Sequence, residues 1–214
     1  MGYASNTGTR RNLEALRRCG WRILLTPSKP QPPVGFRFAI DNGAWSCHVS
    51  GRPFNERGFM RLVEQHASAA DFVVIPDIVA GGMHSFSFSM DWLPRLYTCK
   101  HLLFALQDGM DPLAVGELLK EYSKVGLFLG GTTEWKLREM YGWGMVAAAL
   151  GRWLHVGRVN TRRRLRLCAE AGATSFDGTS ASMFSCTVPL LDASRRQPNL
   201  FAPTNREIAE AAVP

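Results

Sequence analysis

The chain has 214 residues, 46% of them hydrophobic and 20% charged, values that exclude a disordered or low-complexity polypeptide and suffice for one domain with a full core. A net charge of +7 favours a polyanionic partner, of which nucleic acid is the usual one, over a basic but indifferent surface. The five cysteines (Cys19, Cys47, Cys99, Cys168, Cys186) include no C-x-x-C pair, so neither a zinc knuckle nor a disulfide framework is expected. No apolar leader opens the chain, and no run approaches the ~20 apolar residues of a membrane span. A cytoplasmic protein with reduced thiols and no membrane partner is expected.

Taken in order, the residues up to Gly20 are polar and Arg-rich, with a helical pattern over 12–18. Residues 22–26 (RILLT) read as the first strand, and the four prolines of 27–33 exclude a helix there. Residues 42–45 (NGAW) are turn-like. A helix follows over 55–69, with Phe59, Leu62 and Val63 on one face and Asn55 as N-cap. Further helices are predicted over 91–97, 112–124, 133–150 and 161–172, with Pro112 in a first turn, Thr161 as N-cap and Gly172 as a stop. The alternating Ser and Phe of 85–89 reads as a loop over a pocket, 187–191 as a strand, and 205–212 as a closing helix.

Between these helices lie short apolar runs, each ending on a polar residue or glycine. FRFAI (36–40) runs into Asp41, FVVIP (72–76) into Asp77, and LLFAL (102–106) into Gln107. GLFL (126–129) runs into Gly130 and Gly131, WLHV (153–156) into Gly157, and TSF (174–176) into Asp177. Strands alternating with helices imply parallel βαβ units, and functional groups at successive strand ends describe the C-terminal face of a (β/α)8 TIM-type barrel. At 214 residues the barrel must be trimmed, since about 250 is typical. These runs leave the count of eight strands incomplete.

Three aspartates converging on one mouth can bind a metal, form an acid/base pair, or attack an electrophilic carbon. No histidine adjoins them in sequence to favour a metal, and acid/base work with a nucleophile is the remaining enzymatic pattern. Each aspartate alone could equally cap a helix; three with Gln107 favour catalysis. An amide, a carboxylate and bare glycine backbone together suit the edge of a planar heterocycle, on which Trp45 could stack. His155 reads as a structural histidine.

These residues carry a resemblance to the tRNA-guanine transglycosylase superfamily. Asp41 to Trp45 (DNGAW) looks like the family's D-S-G-G-F segment, and Asp77 stands where it has a base-reading aspartate. Residues 105–109 (ALQDG) are similar to the strand with its base-reading glutamine, Gly130 and Gly131 to its glycine pair, and His155, Val156 and Gly157 to the M-G segment that packs on the base. Phe176 and Asp177 resemble the F-D that bears the nucleophile. Six motifs in order span residues 40–179.

The resemblance implies a trimmed barrel and exchange of guanine in a nucleic acid for a 7-deazaguanine such as preQ0, with Asp177 as nucleophile and Asp41 as general acid and base. Asp77, Gln107 and the Gly131 amide would hold the base, beside Gly130, Trp45, Val156 and Gly157. The family's C-terminal zinc motif (C-x-C-x-x-C and a later His) is not found in the sequence, which sets the chain apart from the family's tRNA enzymes; no metal is expected, and base exchange of this kind implies no redox cofactor. Compact phage and bacterial relatives that modify DNA are the closer likeness. Arg158, Arg162 and Arg163 are the expected phosphate contacts. An RNA transglycosylase, a base-releasing glycosidase and a catalytically silent nucleic-acid-binding barrel are the alternatives; a homodimer is compatible with each.

Overall fold

The computed structural model describes residues 1–6 and 9–196. In chain order the elements are β1 (Gly2–Ser5), α1 (Arg10–Arg18), β2 (Arg22–Leu25), β3 (Phe38–Ile40), α2 (Ala44–Val49), α3 (Glu56–His66), β4 (Val73–Val74), α4 (Gly82–Leu96), β5 (Leu102–Leu106), α5 (Pro112–Glu121), β6 (Val125–Leu129), α6 (Thr133–Ala149), β7 (Leu154–Val156), α7 (Arg162–Glu170), β8 (Ser175–Asp177), α8 (Thr179–Met183) and α9 (Thr187–Arg196). All eight strands are parallel and close in sequence order, with β1 sealing the barrel between β2 and β8.

Closure falls to a strand absent from the sequence reading. The predicted first strand at 22–26 is the second, and Gly2–Ser5, within the stretch read as polar and Arg-rich, is the first. In it Tyr3 pairs in register with Arg22 on one side and Asp177 on the other. The trimming sits between β2 and β3, where residues 26–37 run without a helix because four prolines cluster there.

Side chains alternate along each strand. One phase (Tyr3, Leu24, Ala39, Phe72, Val74, Leu103, Ala105) fills the barrel, together with Phe128 and Trp153. The other (Ile23, Leu25, Ile40, Val73, Ile75, Phe104, Leu127, Leu154, Val156) faces outward onto the helices. At the N-terminal end Asp71 accepts from Tyr3 Oη at 2.9 Å and pairs with Arg22 at 3.0 Å and Arg37 at 2.5 Å.

The predicted caps form: Asn55 and Thr161 accept from Gly58 N and Arg164 N, and Gly172 takes a positive φ after α7. Two elements differ from expectation. Residues 85–89 belong to α4, not to a loop over the pocket. Ser85 and Ser89, four apart, lie on its buried face, where Ser85 Oγ accepts from Ile78 N at 2.9 Å and Ser89 donates to Pro76 O at 2.8 Å. Residues 187–191 open α9, with Val188 and Leu191 buried at helical spacing, and form no strand. The helix expected over 205–212 lies outside the described residues. Among the described residues no helix is long and apolar enough to cross a membrane.

Candidate active site at the C-terminal mouth

The strand ends open into a cleft of about 840 Å³, within the usual size of small-molecule sites. The inward phase of the strands decides which residues reach it. Asp41, Gln107, Gly130, Gly157 and Asp177 each stand two residues beyond an inward-facing position and line the cleft, and Asp77 joins them from beyond β4. Val156 is one residue out of phase. It is buried among the helix-facing side chains and does not reach the cleft, which corrects its assignment to the base-binding set.

Asp41 follows β3 in a turn whose Gly43 has φ 79°, a conformation glycine takes without strain. This turn brings the main-chain N–H groups of Asn42 and Gly43 onto the Asp41 carboxylate. Burial, with the charges of Asp177 and Asp77 behind it, outweighs them and pushes the Asp41 carboxyl up to about 7. Asp41 is therefore poised to give and take a proton near neutrality.

Asp77 lies in a polar network on a neighbouring wall. Its Oδ1 accepts from Asn42 Nδ2 at 2.7 Å and its Oδ2 from Gln107 Nε2 at 2.6 Å. Burial pushes its carboxyl up to about 6 against both hydrogen bonds. Gln107 Oε1 accepts from Ala80 N at 3.3 Å, so the amide is oriented, with one N–H left for a ligand. Asn42, overlooked in the sequence because it reads as a turn residue, also donates to Ile75 O and accepts from Ala44 N.

Asp177 ends β8. Its Oδ1 accepts from Arg158 N at 3.1 Å, and its Oδ2 lies 3.0 Å from His155 Nε2. Its side chain remains 16% exposed, toward the cleft. The histidine absent from the local sequence around the aspartates is thus supplied by β7.

The glycine pair differs from expectation. The N–H groups of Gly130 and Gly131 both donate to Leu106 O, at 3.0 and 3.1 Å, so the Gly131 amide is not free to hold a base. Asp108 and Trp135 occupy the space a Cβ on Gly131 would need, so the glycine serves close packing. The carbonyls of the pair both accept from the Arg158 guanidinium. That guanidinium also lies 4.4 Å over the ring of Trp45, which is 49% exposed at the cleft. Arg158, expected on phosphate, instead clasps α2 and the loop after β6 to its own loop while still lining the cleft. Arg162 and Arg163 are exposed on the first turn of α7, outside the cleft.

Buried Lys136 donates to Gly157 O beneath this rim. Burial, with Arg158 next, lowers its ammonium to about 8. Among the described residues no group of three or more His, Cys, Asp or Glu is placed to hold a metal ion.

The chain matches no protein-family model and no curated protein sequence. Among solved structures it is similar to a Haloferax volcanii malate synthase in a pyruvate/acetyl-CoA ternary complex, at TM-score 0.59 and 12% identity over 99% of this chain and 75% of that one. It is also similar to RipC from Yersinia pestis, at TM-score 0.52 and 14% identity over 97% of both chains, and to a native KDPGal structure, at 0.52 and 10% over 91% of both. The fold is a (β/α)8 TIM barrel. At these identities the likeness concerns the fold alone, and function has to be argued from the site.

Proposed function

We propose that this barrel is a glycosyltransferase that exchanges guanine in DNA for a 7-deazaguanine through a glycosyl ester on Asp177. The observation that carries the reading is the pairing of two unlike carboxyls in one cleft. Asp41 is raised so that it exchanges its proton near neutrality, and Asp177 is held by Arg158 N on one oxygen and His155 Nε2 beside the other. One acid that can carry the proton, facing the same cleft as a second that is fixed for attack, is the arrangement that a double displacement at an acetal carbon uses.

In the first half-reaction an Asp177 oxygen bonds to C1′ as the C1′–N9 bond breaks. The bond's electron pair goes to the leaving purine, which takes the proton from Asp41. In the second, the Asp41 carboxylate removes the N9 proton of the incoming base. N9 then bonds to C1′, and Asp177 leaves as carboxylate. Asp77 and Gln107 supply the polar groups for the base edge, with Asn42 holding Asp77 in place, and a base lacking their complement leaves them unpaired. Trp45 offers a stacking face. The target nucleotide must leave its stack to enter, at a few kcal/mol in a duplex. Exposed Arg162 and Arg163 are the proposed phosphate contacts.

The test is to incubate the protein with DNA or with tRNA, plus labelled 7-deazaguanine or guanine, and to follow label into polymer. Label in DNA, lost with Asp177→Ala, is the expected result. Label in tRNA would move the substrate to RNA, and abasic DNA without label would make the protein a hydrolase. Undiminished transfer by Asp177→Ala would remove Asp177 from the chemistry.

A further inference from the structure

We infer that His155 is a positioning residue for Asp177: a neutral imidazole fixed as its Nε2–H tautomer by a one-way chain of hydrogen bonds that starts at Trp153 and ends on the carboxylate. The activity part of this inference rests on the reading of Asp177 as nucleophile; the tautomer does not.

The direction of the chain follows from donor inventory. An indole N–H can only donate. Trp153 Nε1 donates to Ser175 Oγ at 2.7 Å. The single Ser175 proton then goes to its other neighbour, His155 Nδ1, at 2.8 Å. Nδ1 thereby becomes an acceptor and the ring proton sits on Nε2, which faces Asp177 Oδ2 at 3.0 Å. Ser175, His155 and Asp177 all lie on the inward phase of β7 and β8, so the fold itself aligns the relay.

The surroundings hold the ring in place and keep it uncharged. His155 is fully buried in the barrel, stacked on Phe128 with centroids 4.8 Å apart and planes 17° apart, with the edges of Tyr3 and Phe72 at 5.8 and 5.3 Å. Burial, ahead of the opposing influence of Asp177, lowers its pKa. The other charges acting on it are the chain's amino group and Lys136. The ring does not line the cleft, so it acts on substrate only through Asp177. With Arg158 N on Oδ1 and His155 on Oδ2, the carboxylate plane is set before substrate arrives.

The closing experiment has two arms on the full chain. In ¹⁵N-imidazole-labelled protein without substrate, NMR should show His155 neutral and protonated on Nε2 from pH 5.5 to 8. Ser175→Ala should redistribute the proton between the ring nitrogens. A protonated Nδ1 or an imidazolium across that range in the parent protein would overturn the inference. In the transfer assay, His155→Phe should lower kcat about 10- to 100-fold with KM little changed. His155→Gln, whose amide can still donate to Asp177, should recover most of that loss. Equal kcat in parent, Phe and Gln proteins would overturn the positioning role. Absence of transfer by the parent itself would instead sink the proposed function and leave the NMR arm standing.

Discussion

At the scale of single residues, Asp41 joins activity to stability. Its carboxyl is raised to about 7, and that of Asp77 to about 6, both above the ordinary carboxylate range. At these two sites the folded protein therefore binds more protons than the unfolded chain between about pH 4 and pH 7, while the lowered His155 and Met1 amino group act in the opposite direction. The stability contributed by the two carboxyls is fully present below that window and is lost as pH rises through it. The melting temperature of Asp41→Asn should accordingly gain on that of the parent as pH rises from 5 to 8. At pH 8 the amide should stabilise the fold by on the order of 2 kcal/mol. The same substitution removes the proton carrier and should cut base exchange by about 10²–10⁴-fold. A melting-temperature difference between the two proteins that does not grow from pH 5 to pH 8 would contradict a proton-holding Asp41.

Among the elements, α6 is fastened to the mouth by one carboxylate. Asp108, in the loop after β5, accepts from Thr132 N and Thr132 Oγ1, each at 2.6 Å, and Thr132 Oγ1 caps α6 by accepting from Trp135 N. Asp108→Ala should cost about 1–2 kcal/mol in urea unfolding. Because Gly130 and Gly131 lie between these loops, kcat should fall as well. An unchanged unfolding midpoint would show that the cap holds without Asp108. The helices and most strand ends were legible in the sequence because their signals are local: Asn55, Thr161 and Gly172 act on neighbours within a turn. Where the reading failed, a local pattern had two meanings. Ser85, Ser87 and Ser89 alternate as a strand or loop would, yet Ser85 and Ser89 also satisfy helical spacing, and Pro76 O and Ile78 N in the segment after β4 decide for the helix. Val156 was placed by motif although strand phase assigns its neighbours His155 and Gly157 to the interior.

For the molecule as a whole, closure depends on the shortest-range piece of sequence with the longest-range partners. Gly2–Ser5 carries little pattern of its own, and only the pairing with β2 and β8 identifies it as a strand. The clustering of Asp41, Asp77, Gln107 and Asp177 was legible once a barrel was assumed. The His155 relay and the Arg158 clasp were not, because they join residues 19 to 28 positions apart across different strands. Deleting residues 1–5 should open two strand edges and abolish the cooperative melt seen by circular dichroism. A deletion protein that melts as sharply as the parent would show that seven strands suffice.

That seam also has a consequence for biosynthesis. The Met1 amino group meets Thr174 O across 173 positions of chain. At the ribosome's pace of about 5–20 residues per second, the opening strand waits roughly ten to thirty-five seconds for its second neighbour to be made. Throughout that interval β1 presents one unpaired edge, and the cleft that holds Asp177 does not yet exist.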